Sequence, residues 1–152
     1  MYSWLFIKSR SIFPYIYSSF KQAPMKNSVK KTHFTKDNIW LKEPEDHDFP
    51  AAQDYLELLF QPNEAQKMVQ KLKAAPTIIK KSKDILRASK LTLLPENNIH
   101  VKENLKKVEK NKKLSPILLV RGQNELIIAD GYHRLCSSYY LTEDLEVPCR
   151  LI

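Results

Sequence analysis

Apolar side chains recur along this chain in two rhythms. Between residues 50 and 89 they return every three or four positions. The sets are Ala52, Tyr55, Leu56 and Leu59; then Ala65, Met68, Val69 and Leu72; then Ile78, Ser82, Ile85 and Leu86 as a third shared face. That spacing predicts three helices, over about 50–60, 62–74 and 78–89. Proline punctuates them. Pro50 follows Asp48-Phe49 in a helix-start pattern, Pro62 restarts the chain, and Pro76 stops the second helix and leaves Thr77 to cap the third. Upstream, residues 25–48 are polar without a sustained period, and Trp40 and Leu41 are expected to tuck onto the domain.

The pattern changes at Leu91. Leu91, Leu93 and Leu94 predict a short strand, and Pro95-Glu96-Asn97-Asn98 a turn whose asparagines can cap the next helix. Val101, Leu105 and Val108 line one side of that lysine-rich helix. Ser115-Pro116 resets the chain to extended geometry. Ile117–Val120 and Leu126–Ala129 read as buried strands joined through a hairpin-like turn at Gln123-Asn124. Tyr132 to Leu141 reads as a helix, and 147–152 as a last strand, placed at a sheet edge by Pro148. The expected class is α+β, with N-terminal helices followed by a β-α-β-β-α-β core. Its small mixed sheet is built from 91–94, 117–121, 126–129 and 147–152. The organisation is a basic leader (1–36), a helical subdomain (37–90) and a core (91–152).

Charge and composition narrow the picture. The 152 residues carry a net charge of +8, but residues 1–36 hold seven basic side chains and no acid, so the remainder is nearly neutral. Within the body, segment 80–113 has 11 basic and 4 acidic residues. With only 2 glycines, a glycine-rich phosphate loop cannot form, and 2 cysteines are too few for a zinc site built on cysteine pairs. No apolar run is long enough to span a membrane. Residues 1–24 hold 7 of the 15 aromatics. Three readings of that leader compete: an over-extended start, with Met25 as the ordinary one; an organelle-targeting or surface-binding segment; or a folded part of the domain.

The densest chemistry is Asp130-Gly131-Tyr132-His133-Arg134, between a buried strand and a helix. Free backbone N–H groups at a helix start attract anions. Gly131 permits a sharp turn or close approach of a ligand, and Arg134 offers a planar donor fork suited to phosphate. His133 supplies a proton acceptor or donor, and Asp130 a base or metal ligand. The same residues also suit a plain helix start, with Asp130 as cap and His133 and Arg134 in solvent. Lys83 and Arg87, four apart, are either an addition to a phosphate site or solvated surface. His47-Asp48 is either a polar pair or a helix cap. Lys106, Lys107, Lys110, Lys112 and Lys113 form a basic helix end without neighbouring aromatics.

Residues 90–152 resemble the ParB/sulfiredoxin superfamily. Ser115-Pro116-Ile117 matches its Pro-Ile-x-Val strand, and Gly131-Tyr132-His133-Arg134 its Gly-x-His-Arg helix start. The resemblance implies a cradle for nucleotide phosphates, with Gly131, Tyr132, His133 and Arg134 at the phosphates. It sets Asn97, Asn98 and His100 at a ligand-facing turn. It also implies a nucleoside triphosphate, with magnesium, as the cofactor-like ligand. Tyr132 stands where sulfiredoxins carry their catalytic cysteine, so sulfinic-acid reduction is not expected, and Cys136 is expected to pack as a small apolar side chain. Partition proteins continue into a helix-turn-helix domain and this sequence stops at Ile152, so chromosome partition of the usual kind is not expected.

The leading expectation is a small cytoplasmic domain that binds a nucleotide or another phosphorylated small molecule. If catalytic, it would carry out phosphoryl transfer or phosphoester cleavage, with Asp130 and His133 as the reacting groups. The alternative is a non-catalytic module whose 80–113 lysines contact nucleic acid or an acidic protein, recognisable by steep salt dependence. A third reading makes the helices of 50–89 a lid over the motif. Oligomeric state is left open. Because residues 1–24 show no pattern that docks on a core, a chain starting at Met25 is expected to melt within about 1–2 °C of the full chain, a shift worth only a few tenths of a kcal/mol for a domain of this size. Differential scanning calorimetry checks this, and a clear drop on truncation would refute it.

Overall fold

Alternate side chains of the strand Ile117–Arg121 enter two different cores. Ile117 and Leu119 face a cluster with Trp40, Ile85, Val108, Leu135 and Val147. Leu118 and Val120 face a second cluster with Phe49, Ala52, Leu56, Val69 and Leu72. A strand covered on both faces must be apolar throughout, which is why ILLV reads as an unbroken run. The described residues of this computed structural model are 39–152, so the leader and the Met25 start lie outside them.

In chain order the elements are α1 (Asp48–Leu56), α2 (Pro62–Ala74), β1 (Thr77–Lys81), α3 (Ser82–Ser89), α4 (Ile99–Glu109), β2 (Ile117–Arg121), β3 (Leu126–Asp130), α5 (Tyr132–Leu141) and β4 (Glu146–Leu151). Among the described residues the class is α+β, five helices with one mixed sheet ordered β1-β4-β2-β3. β1 runs antiparallel to β4, β4 parallel to β2, and β2 antiparallel to β3. α1 and α2 contribute to the core on one face of the sheet, α3, α4 and α5 to the core on the other. No helix among the described residues is long and apolar enough to cross a membrane.

The structure corrects four expectations. Residues 77–81 are a strand and not the first turn of a helix. The β-branched Thr77, Ile78 and Ile79 favour extended backbone, and the whole segment pairs with β4 from Thr77↔Arg150 to Lys81↔Glu146. The helix begins only at Ser82, whose hydroxyl donates to the carbonyls of Thr142 (3.2 Å) and Glu143 (2.8 Å).

Residues 91–94 are not a strand, so β1 and not this segment supplies the fourth strand. Their backbone is bound instead by two tyrosines of α5: Tyr132 donates to the Thr92 carbonyl and Tyr140 to that of Leu94 (2.8 Å). β4 is interior and not at an edge. Its parallel register with β2 starts at Cys149, one residue beyond Pro148, so the proline sits where only β1 is its partner. Finally, α1 ends at Leu56, and Tyr55 and Leu59 are 41% and 50% exposed; only Ala52 and Leu56 of that set reach the core.

Other expectations match. α2 and α5 have the bounds read from the sequence, and Asn98 caps α4 by accepting from the N–H groups of His100 (3.1 Å) and Val101 (3.3 Å). Trp40 is buried and bridges to Leu114, and Cys136 is buried. At the β2–β3 turn a Cβ on Gly122 would meet the Glu125 carbonyl at 2.6 Å, so the hairpin requires glycine there. Arg150 of β4 closes the other end of α2, donating to the carbonyls of Leu72 (3.2 Å) and Lys73 (2.6 Å) beside the Phe49 ring. Leu118 is wholly buried between the sheet and α1–α2. Leu118→Ala is expected to cost about 2–5 kcal/mol, read as a lower urea midpoint with an unchanged slope.

Candidate functional site

Gly131 joins β3 to α5 with φ at 100°, a left-handed conformation that side chains rarely adopt. A Cβ there would also lie 3.1 Å from both the Arg134 Nη2 and the Ile117 Cγ1. Gly131 is the N-cap and offers no side-chain cap, and the first intrahelical bond runs from Leu135 N–H to Gly131 O. The N–H groups of Tyr132, His133 and Arg134 therefore have no intrahelical acceptor, the arrangement that favours an anion.

The residues that carry these amides line a cavity of about 590 Å³. Its floor is the end of β3, at Ile128, Ala129 and Asp130; Ala51 and Tyr55 of α1 stand on one side, and His100, Glu103, Asn104 and Lys107 of α4 on another. Gly131, Tyr132, His133 and Arg134 complete the lining, with Leu91. β3 is an edge strand, so no further strand closes this side.

Arg134 is the electrostatic centre of the site and is only 16% exposed. Its Nη2 donates to Asp130 Oδ2 at 2.6 Å and to the Pro116 carbonyl at 3.4 Å, and stands 3.2 Å from Asp48 Oδ1. Asp48, 1% exposed, is held in turn by the Ser115 hydroxyl and by the Glu45 N–H (2.8 Å). Arg134 is thus a tethered cation and not a solvated side chain of the first helical turn. Burial pushes the Asp130 carboxyl above its usual range against the pull of Arg134, and Asp48 adds to the rise. The His133 and His100 rings meet edge to face with centroids 4.8 Å apart. Burial lowers the His133 pKa from its ordinary value, and the neighbouring His100 and Arg134 lower it further.

The residues singled out in the sequence fall into three places. Asp130, Gly131, Tyr132, His133, Arg134 and His100 share the cavity. Asn98 serves as the α4 cap, and Asn97 lines a different hollow with Glu96 and Lys102. Lys83 and Arg87 border a third hollow; Lys83 pairs with Asp144 at 2.8 Å and Arg87 with Asp84 at 3.0 Å. His47 and Asp48 do form a polar pair, at 3.7 Å, although the main partners of Asp48 lie elsewhere.

Sequence reasoning missed Asn104 and the tie from Asp48 to Arg134. Asn104 left a signal: it interrupts the buried stripe of Val101 and Val108 with an amide. No three histidine, cysteine or acidic side chains among the described residues are grouped to hold a metal, and Asp130 Oδ2 is already engaged by Arg134. No family model, curated protein or solved structure matches the chain, and the site is read from its own geometry.

Arg134→Ala would leave Asp48 buried without its cation. It is expected to cost about 3–5 kcal/mol, measured by urea unfolding; a loss below about 1 kcal/mol would show the tie to be ornamental. The two shifted groups also give stability opposite pH dependences. As pH falls below the ordinary histidine value of 6.5, the unfolded chain takes up a proton that folded His133 resists, so stability falls. Folded Asp130 takes up its proton at higher pH than the unfolded chain, so the strain at Asp130 is relieved on further acidification toward 3.8. Melting temperature is therefore expected to drop between about pH 7 and pH 5.5, and to drop less in His133→Gln.

Proposed function

We propose that this domain binds a phosphate-bearing small molecule, a nucleotide in the first instance, with the phosphate on the free amides at the start of α5. The carrying observation is that the residues bearing those amides line a cavity together with Asn104, a residue only 8% exposed with no hydrogen bond to any described residue. A helix start alone is commonplace; a helix start facing a pocket with an uncommitted buried amide is not. The volume suits a ligand of nucleotide size. Lys107 adds a cation at the rim, and the Asp130 carboxylate that a phosphate would otherwise meet is paired with Arg134.

The ParB/sulfiredoxin resemblance points the same way and places the Gly-x-His-Arg turn at the phosphates. The geometry changes one role within it. Arg134 acts mainly by fixing the turn through Asp130 and Asp48, so the amides and Lys107 carry the direct contacts. Were the ligand turned over, the proton acceptor in position is His133, kept neutral near pH 7 by burial. The corresponding chemistry is phosphoryl transfer or phosphoester cleavage.

A thermal-shift titration with nucleoside mono-, di- and triphosphates, each with and without Mg²⁺, tests this. A ligand at 100 times its Kd should add about 2.7 kcal/mol of stability. Lys107→Ala should weaken binding about fivefold, the scale of a partly exposed charge contact, while leaving the fold intact. Binding of single-stranded oligonucleotides alone, falling steeply with salt, would overturn the reading in favour of a nucleic-acid surface along residues 80–113.

A further inference from the structure

Asn104 lies in the middle of α4, on the buried side of the helix between Val101 and Val108. Interior positions of such a stripe are normally apolar, because an amide taken out of water without a partner costs free energy. Asn104 is 8% exposed, lines the cavity, and makes no hydrogen bond to any described residue. Its amide keeps some contact with solvent, unlike Trp40 Nε1, which is sealed without a partner. Asn104 thus keeps a little accessible surface and is one of the residues that line the cavity. The cavity also has an apolar part. Tyr55 and Leu91 line it 41% and 40% exposed, and Ile128 lines it as well.

A side-chain amide presents one donor and one acceptor in a single plane. It is matched by an edge that presents the complementary pair, as the edge of a nucleobase does. Resting on the phosphate-ligand reading, we infer that Asn104 reads the ring of the ligand. The site thus takes a nucleoside 5′-phosphate whose base offers a donor–acceptor edge to Asn104 and its face to Tyr55 and Leu91. In this division of labour the α5 amides hold the phosphate without regard to the base, and Asn104 selects the base without touching the phosphate.

The experiment compares the four common nucleoside 5′-monophosphates with ribose 5-phosphate and inorganic phosphate, by calorimetry on the full chain and on Asn104→Leu and Asn104→Asp. Wild type should bind at least one nucleotide about tenfold more tightly than ribose 5-phosphate, the worth of a satisfied hydrogen-bonded edge. Asn104→Leu should bring that nucleotide down to the ribose 5-phosphate level, leave ribose 5-phosphate affinity unchanged, and melt no lower than wild type. Asn104→Asp keeps the shape but only accepts. It should shift preference toward bases that present an amino group, which supplies a test should the leucine variant not fold. Equal affinity of wild type for nucleotides and ribose 5-phosphate would overturn the role of Asn104 while leaving phosphate binding in place. The same ranking of bases in wild type and both variants would also overturn it. Failure of every probe to bind would overturn the phosphate reading and this inference together.

Discussion

One guanidinium is shared by three stretches of chain that are distant in sequence. Arg134 of α5 meets Asp130 at the end of β3, Asp48 at the start of α1 and the Pro116 carbonyl at the entry to β2. A charge this buried is tolerable only when neutralised, so the arrangement fixes where α1, β3 and α5 come together. Ser115 and Glu45 extend the tie by holding the far side of Asp48. Since α1, β3 and α5 are also cavity walls, the interaction that positions the fold positions the site. The positive end of the α5 dipole lies at the same junction, beside two carboxylates that share one cation.

Local signals carried much of this architecture. Two-sided burial made β2 visible as an apolar run, and Pro62 and Pro76 bracketed α2. The Asp130–Arg134 turn was legible because its glycine and helix start are adjacent in sequence. β1 was not, because Thr77-Ile78-Ile79 acquires its structure from β4, about seventy residues later. Leu91–Leu94 shows the converse. Its composition suits a strand, but no sheet edge is offered to it, and two tyrosine hydroxyls take its carbonyls instead. Pro148 misled for a related reason: β4 is interior as a strand, yet at that residue it has only one neighbour.

The site was legible to the same extent and for the same cause. Gly131, His133 and His100 were within reach of motif reasoning. The commitment of Arg134 was not, since Asp48 lies 86 positions earlier and reads locally as a helix-start residue. The predicted helix that would have held Ile78 left Lys83 of α3 free for a phosphate; with β1 in place of its first turn, Lys83 meets Asp144, as Lys81 does. Asn104 was hidden by a plausible neighbour. Leu105 completes an apolar stripe on paper, but the helix turns Asn104 inward and leaves Leu105 half-buried beside Lys102 and Lys106.

The interior position of β4 has a consequence for how the chain is made. β4 is synthesised after every other element described here, yet it is the strand that joins β1 to the β2–β3 hairpin. Until it emerges from the ribosome, β1 has no partner and one side of β2 is open, so the nascent chain carries an isolated extended segment and a two-stranded ribbon of marginal stability. At about 5–20 residues per second, the interval between β1 and β4 lasts several seconds. During it, Ile78 and Ile79 are unshielded and open to pairing with another chain. The sheet cannot close before β4 is made, and a chaperone that shields the residue 77–81 segment would cover the strand left without its partner in that interval.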